Sequence, residues 1–272
     1  MRALPQVLAL LGGVLAGALA HAGSPSWETP EADDRKTFAP YLDSDAARFL
    51  VLAGPPAEGS PADAGDVQAI LRLQKATSAT RRAQAEDDGD ALYARFADAF
   101  GRPLDRAHTP YTIRLLNRLE RTVARPVFAA KDLYRRARPY QRLTLARACG
   151  RGSAPSADPD VAGRTSYPSG HAAYGWMAVQ ALAELAPQRA PALLQRGIDY
   201  GESRLVCGVH FPSDVEAGRL VATAVYERVR GVADFQRDFA CAAAELRADG
   251  QATDLALAER CGAAPAVRPA GP

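Results

Sequence analysis

The pattern of apolar residues and prolines constrains the fold of this chain more than any other feature. Apolar side chains recur at helical spacing after Thr109-Pro110, where threonine can cap a helix and proline fits its first turn. Pro187 ends an alanine-rich helix that begins at His171, and Pro212 begins another. No segment alternates convincingly between apolar and polar residues. The sequence therefore predicts an all-α, single-domain helical bundle packed around a buried central pair.

The same signals predict the helix boundaries. We expect one helix over residues 66–86, one over 92–100, and one from 109 to 138 that is kinked at Pro126. That helix should stop at Arg138, because the residue before a proline disfavours helical geometry. Further helices are expected over 171–186, 191–207 and 212–230, and then to about 261. Residues 150–166 are rich in Gly, Ser, Pro and Asp, which predicts a long loop.

The first 22 residues have the features of a signal peptide. Arg2 precedes an uncharged apolar stretch at 7–19, and Ala20-His21-Ala22 offers small residues for cleavage. The stretch is too short to span a bilayer, although a membrane anchor is the alternative. We expect a mature domain over 23–261 and a flexible tail at 262–272. The product should have no membrane span and be periplasmic or secreted.

Cysteine usage and charge narrow the class further. Four cysteines in an exported protein indicate two disulfides, and the sequence alone leaves three pairings open. None forms a C-x2-C pair or has a histidine at ligand spacing, so we expect no metal and no cofactor. Residues 102–151 hold twelve arginines and one lysine against three acidic residues. We expect solvated helix faces for most of these arginines, an anion pocket for a few, and no nucleic-acid partner.

Three ordered clusters carry the chemistry of the chain. They read K-x6-R-P, P-S-G-H and S-R-x5-H-x3-D, and they supply three cations, two histidines, a hydroxyl and a carboxylate. This inventory suits a site that holds and breaks a phosphate ester. The residues are Lys131, Arg138-Pro139, Pro168-Ser169-Gly170-His171, Ser203-Arg204, His210 and Asp214.

The first two clusters predict phosphate binding. Lys131 and Arg138 are seven residues apart, so on one helix they would project from the same face and bind phosphate oxygens. An exposed basic helix is the alternative for this pair. Ser169 and Gly170 lie where a loop becomes a helix, whose unpaired amides suit an anion. A simple helix cap is the alternative there.

The third cluster predicts a nucleophile. Asp214 is near enough in sequence to accept a hydrogen bond from Nδ1 of His210, which would leave Nε2 free to attack. An ordinary helix-start aspartate is the alternative. Arg204 would supply the third cation, and His171 would act as the proton donor. His108 is interpreted as a surface or structural residue.

The ordered set resembles the phosphatidic-acid-phosphatase type 2 (PAP2) superfamily, which includes bacterial non-specific acid phosphatases and vanadium haloperoxidases. The stretches 165–171 and 201–208 look most like secreted class A acid phosphatases, as does the Pro-Pro loop at 55–56, and the resemblance covers about residues 41–246. Thr165 and Phe211-Pro212 depart from the class A pattern. These departures put the shape of the pocket rim in doubt and touch no catalytic atom.

The resemblance implies a function and a role for each residue. It implies metal-independent hydrolysis of small phosphate monoesters, with broad specificity, through a phosphohistidine, and a possible homodimer. The alternatives are a vanadate-dependent haloperoxidase in the same cage and a phosphate-binding protein without turnover. The implied roles are a phosphate clamp of Lys131, Arg138 and Arg204 assisted by Ser169 and the Gly170 amide, attack by His210, orientation by Asp214 and protonation by His171.

Two structural expectations follow from these roles. Convergence of Arg138, Arg204 and His210 on one phosphate would bring Cys149 near Cys207, so we predict the disulfides Cys149–Cys207 and Cys241–Cys261. Glu120 precedes Lys131 by eleven residues, about three helical turns, which predicts a position near the pocket mouth.

Overall fold

A computed structural model of the protein describes residues 38–43, 52–149, 166–247 and 261–262. The predicted signal peptide, nearly all of the predicted loop at 150–166 and the tail beyond 262 lie outside the described residues. Within these ranges the secondary structure is helical, with no β-strand, which confirms the all-α class. In this part of the chain we find no helix with the length and apolar character needed to cross a membrane.

In the described residues, 3-10 turns lie between the α-helices at Ala94–Phe96 and Pro187–Arg189. The α-helices are α1 Pro61–Ala76, α2 Ala79–Asp87, α3 Ala97–Phe100, α4 Pro110–Tyr134, α5 Pro139–Arg142, α6 Gly170–Leu185, α7 Ala190–Val206, α8 Pro212–Val229 and α9 Ala233–Arg247.

The helix predicted over 66–86 is wrong in one respect, since it is two helices, α1 and α2. The Ser60 side chain caps α1, so this helix begins five residues earlier than expected. Thr77 then takes an extended conformation, and the Ser78 hydroxyl accepts a hydrogen bond from the amide of Arg81 to start α2. Serine side chains that satisfy free amides thus set both starts.

The helix predicted over 109–138 ends early, at Tyr134. Arg135 adopts a left-handed conformation with φ of 46°, and Arg138 is extended and precedes Pro139, the first residue of α5. The expectation that Lys131 and Arg138 project from one helix face is therefore wrong. The chain leaves α4 three residues after Lys131, and the turn, rather than helical periodicity, sets the position of Arg138.

The most buried helix is α6, which packs against α4, α7 and α8. Its centre is apolar, with Ala173, Val179, Ala181 and Leu182 fully buried. Gly175 permits a close approach of α7, because a Cβ there would lie 2.4 Å from the ring of Tyr200. This arrangement brings the start of α6 close to the C-terminal half of α7 and the start of α8.

The arginines of α4 and α5 differ from the expectation of solvated helix faces. Among the described arginines of residues 102–147, only Arg125, Arg135 and Arg147 are exposed. Arg118, for example, forms a 2.6 Å ion pair with Asp238 and lies over the ring of Tyr41. Acidic residues brought in from distant helices account for this burial, because a buried guanidinium needs charged partners.

Two disulfides close the fold, and they are the two that were predicted. Cys149 is joined to Cys207 and Cys241 to Cys261. The first links the segment after α5 to the end of α7, between Arg204 and His210. The second ties α9 to the end of the described chain.

Candidate active site

His210 lies in the turn before α8 and is almost fully buried. Its Nδ1 is 2.8 Å from the carbonyl oxygen of Ser166. A carbonyl oxygen can only accept, so we assign the ring hydrogen to Nδ1, which leaves a lone pair on Nε2. The Nε2 atom is 3.1 Å from Nη1 of Arg138, which can only donate. The fold thus places a ring nitrogen without a hydrogen beside the guanidinium of Arg138.

The bond predicted between His210 and Asp214 is wrong in its detail. Oδ2 of Asp214 lies 3.7 Å from Nδ1 of His210, beyond hydrogen-bond distance. This oxygen instead accepts from the Ser166 hydroxyl at 2.6 Å and the Phe211 amide at 2.7 Å. Asp214 therefore holds the two backbone segments on either side of His210. It is also a helix-start residue that satisfies a free amide of α8.

The three predicted cations lie around His210. Lys131 donates to the Pro168 carbonyl at 2.6 Å, and Arg138 donates to the Val209 carbonyl at 2.9 Å. The pKa of His210 is held far below its ordinary value by burial first, and then by the charges of Arg138, Lys131, Arg204 and His171. Residues of all three sequence clusters therefore lie close enough to act electrostatically on His210.

The positive charge of this cluster is only partly compensated. Burial, and then the charge of Arg138, lowers the pKa of Lys131 to about 7, and the pKa of Arg204 is also lowered by burial first. The Nε and Nη1 atoms of Arg204 are buried without a hydrogen-bond partner among the described residues. Buried donors without acceptors are costly, and an anion would satisfy them. The site is therefore prepared for a negatively charged ligand.

His171 occupies the first turn of α6. Its Nε2 donates to the Asp88 carbonyl at 2.9 Å, and its ring stacks on Tyr200 with 5.3 Å between centroids. Burial, followed by the charge of Arg204, lowers the pKa of His171 to about 3. This histidine is therefore neutral at ordinary pH.

Ser203 positions the segment that contacts His171. Its hydroxyl donates to the Asp88 carboxylate at 2.6 Å, and Arg196 forms an ion pair with the same carboxylate. Asp88 is fully buried, so these contacts fix its backbone carbonyl against His171. The serine of the third cluster thus has a structural role at the edge of the site.

Ser169 and Gly170 form the start of α6, as expected. The Ser169 hydroxyl caps the helix by accepting from the Ala172 amide at 3.3 Å, and its own amide donates to the Asp214 carbonyl. Gly218 allows this close packing, because a Cβ there would lie 2.4 Å from the Ser169 carbonyl oxygen. The free amides at this helix start add a positive dipole end to the cluster.

Glu120 is buried, and its carboxylate accepts from the Tyr93 hydroxyl at 3.3 Å. Burial first, with a contribution from the charge of Glu120, raises the pKa of Tyr200, and the ring of Tyr200 stacks on His171. Its position near a pocket mouth stays a prediction. His108 is exposed and contacts Asp105, in agreement with its interpretation as a surface residue.

Sequence reasoning missed three residues that shape the site. Arg136 contacts Asp214, Ser166 presents its carbonyl to His210, and Asp88 presents its carbonyl to His171. Two of these contacts use backbone atoms, for which residue type gives no signal. Within the described ranges, no group of three or more His, Cys, Asp or Glu side chains is arranged to hold a metal ion.

Comparison with known protein families agrees with this geometry. The PAP2 superfamily profile matches residues 120–230, a span that contains every residue of the three clusters. The fold and the site together define a PAP2-type phosphate site.

Individual relatives extend the similarity over most of the chain. An acid phosphatase of Zymomonas mobilis subsp. mobilis is 37% identical over 245 residues, which cover 88% of each chain. A non-specific acid phosphatase of Salmonella typhimurium is 32% identical over 72% of this chain and 78% of its own. One from Providencia stuartii is 33% identical over 72% and 80%, respectively. The chain belongs to the acid phosphatases of the PAP2 superfamily, as the resemblance predicted.

Proposed function

We propose that this protein is an exported acid phosphatase of broad specificity, which hydrolyses phosphate monoesters without a metal through a phosphohistidine on His210. The position of the His210 Nε2 atom carries the proposal. This atom carries no hydrogen and accepts a hydrogen bond from Arg138, and the charges of Lys131 and Arg204 also act on it. The Nε and Nη1 atoms of Arg204 have no hydrogen-bond partner among the described residues. The similarity to an acid phosphatase and to non-specific acid phosphatases supports the same activity.

In the first step, Nε2 of His210 forms a bond to phosphorus while the ester P–O bond breaks. The electron pair of that bond moves to the leaving oxygen, which takes a proton from His171. Lys131, Arg138 and Arg204 bind the nonbridging oxygens, assisted by the start of α6. These fixed charges stabilise the negative charge of the transition state without reorganisation of solvent.

In the second step, water attacks the phosphohistidine. The N–P bond breaks, its electron pair returns to Nε2 of His210, and His171 accepts the proton that the water loses. Inorganic phosphate leaves, and both histidines regain their starting states. Asp214 holds the backbone on both sides of His210 in each step.

Substrate binding favours protonation of His171, and the protonated ring can then act as the general acid. Its pKa is low in the anion-free site because of burial and the nearby arginines. A phosphate group offsets the charges of Arg204 and Arg138, so binding raises the pKa of His171. The protonated state is then populated at acidic pH, where the neutral Nε2 of His210 still acts as the nucleophile.

The test replaces each histidine and measures turnover of aryl and alkyl phosphates in EDTA. His210→Ala should abolish turnover of every substrate, because no covalent intermediate can form. His171→Ala should slow alkyl esters far more than aryl esters, because a nitrophenolate leaves without a proton. His108→Ala is the matched control and should behave as wild type. Activity in His210→Ala, or a wild-type enzyme inactivated by EDTA and restored by zinc or magnesium, would contradict the proposal.

Export is part of the proposal, and the two disulfides support it, because such bonds form and persist in oxidising compartments. The predicted homodimer and the absence of a nucleic-acid partner stay predictions.

A further inference from the structure

The guanidinium of Arg136 lies at the centre of a buried polar network below the site. Its Nη1 donates to Asp214 at 2.7 Å and to Ser213 at 2.8 Å. Its Nη2 donates to Asp66 at 2.8 Å and to Asp63 at 3.3 Å. The residue is 8% exposed, and its Cζ atom lies 4.3 Å from the centroid of the Phe211 ring. Both terminal nitrogens of the guanidinium are therefore held by hydrogen bonds.

Two paths lead from Arg136 to His210, and both pass through Ser166. The side chain holds Oδ1 of Asp214, whose Oδ2 accepts from the Ser166 hydroxyl at 2.6 Å. The backbone carbonyl of Arg136 accepts from the Ser166 amide at 3.0 Å. Ser166 in turn accepts the ring hydrogen of His210 at 2.8 Å. The carbonyl that sets the tautomer of His210 is thus held on both sides by one residue.

Arg136 differs from the clamp cations in what it contacts. Arg138 lies 3.1 Å from the attacking nitrogen of His210. Arg136 instead contacts carboxylates, the Ser213 hydroxyl, the Phe211 ring and the Ser166 amide. Its positive charge is balanced by three aspartates, so it does not present an uncompensated charge to a phosphate. The hydrogen bonds that connect Arg136 to His210 run through Asp214 and Ser166.

We propose that Arg136 is a positioning residue, which keeps Nε2 of His210 directed at phosphorus by holding Asp214 and Ser166. The inference rests on the proposed role of His210 as the nucleophile. Removal of the guanidinium leaves Oδ1 of the fully buried Asp214 without its charged partner. The carboxylate then rotates, Ser166 shifts, and the hydrogen on Nδ1 loses its acceptor. The lone pair of Nε2 is no longer fixed in position.

The expected phenotype is a loss of rate with little loss of binding. Replacement of a residue that orients a catalytic group without touching the substrate typically lowers activity by about 10- to 100-fold. We expect kcat of Arg136→Ala to fall by about this factor. The inhibition constant of inorganic phosphate should stay within about threefold of wild type, because the contacts of Lys131, Arg138 and Arg204 are separate.

Arg142→Ala is a closely matched control. Arg142 also forms an ion pair with Asp63, at 2.7 Å, and lies over the ring of Phe211, but it makes no hydrogen bond to Asp214 in the part of the chain that the structure describes. Both variants remove a partly or fully buried arginine from the same network. Arg142→Ala should lower the melting temperature while keeping a wild-type kcat. An equal fall of kcat in both variants would mean that the network serves stability alone, and would overturn the proposal.

Chemical rescue gives a second readout that a purely structural role would not produce. An open groove of about 560 Å³, lined by residues that include Pro55, Pro56, Tyr134 and Arg136, leads to the network from the surface. Millimolar guanidinium should enter the space left in Arg136→Ala and restore kcat, with no effect on His210→Ala. A wild-type kcat in Arg136→Ala before guanidinium is added would refute the proposal, and a lowered kcat that guanidinium does not restore would also count against it.

The ring nitrogens of His210 separate this inference from the proposed function. In ¹⁵N spectra, His210 should carry its hydrogen on Nδ1 in the wild type and in Arg142→Ala, and should lose this fixed tautomer in Arg136→Ala. This measurement needs no turnover, so an inactive wild type would refute the phosphatase proposal alone. If Arg136→Ala does not fold, Arg136→Lys keeps the charge without the two-pronged fork and should show the same tautomer loss. An unchanged tautomer would overturn the inference.

Discussion

Gly218 on α8 faces the Ser169 carbonyl oxygen, and its replacement by alanine tests how closely the site depends on the packing of α6 against α8. An added Cβ would lie 2.4 Å from that oxygen, whereas real Cβ contacts are essentially never shorter than 3.0 Å. The obstacle is a backbone atom rather than a flexible side chain. The start of α6 must therefore move away from α8 by at least about 0.6 Å.

This displacement separates groups that must act together. Ser169, Gly170 and His171 move with α6, whereas Asp214 and the neighbouring His210 stay with α8. Misplacement of about 1 Å can cost about 100-fold in rate, so we expect kcat/KM for p-nitrophenyl phosphate to fall by about 10- to 100-fold. Overpacking costs about 1–3 kcal/mol, and the better helix propensity of alanine returns about 1 kcal/mol. The net loss of stability should therefore be about 0–2 kcal/mol.

Gly65→Ala is the control, because Gly65 lies within α1 with nothing within 4 Å of the added methyl group. That variant should gain about 0.4–1 kcal/mol in urea unfolding and keep wild-type kinetics. A Gly218→Ala enzyme with a wild-type kcat/KM and a similar gain in stability would refute the reasoning.

Two further predictions concern stability. The Cys149–Cys207 bridge joins residues 58 apart and the Cys241–Cys261 bridge residues 20 apart, so their replacement by serine pairs should cost about 4 and about 3 kcal/mol. Denaturant unfolding checks the order, and a larger cost for the shorter loop would contradict the loop-closure argument. The folded-state pKa values of His171 and His210 are below the ordinary value of 6.5, so the unfolded chain binds more protons below that pH. The melting temperature should therefore fall on acidification below about pH 6.5, and inorganic phosphate should raise it more at pH 5 than at pH 8; an equal effect at both would contradict this explanation.

The elements with strong local signals could be predicted from sequence. Helical spacing and prolines predicted α4, α6 and α8, and the ordered clusters predicted residues that the fold brings to one place. The start of α6 at Ser169 and Gly170 followed from the same local rules. These signals depend on neighbours in the chain, so they are readable without the fold.

What the sequence did not reveal depends on contacts between distant segments. The acceptor for His210 is the backbone of Ser166, 44 residues earlier, rather than the nearby Asp214. Arg136 could not be separated from eleven other arginines of its region, because its burial depends on aspartates of α1 and α8. Spacing along the chain thus identified which residues meet, and not which atoms bind.

The bonds around the two histidines also have a consequence for folding. Arg136 and Asp214 are 78 residues apart, and Asp88 and Ser203 are 115 apart. Contacts that close such long segments cost loop entropy and form slowly, whereas single helices form within about a microsecond. Helical content can therefore recover before these contacts exist. Hydrolytic activity reports the completed assembly of the chain, and a refolding sample rich in helix can still be inactive.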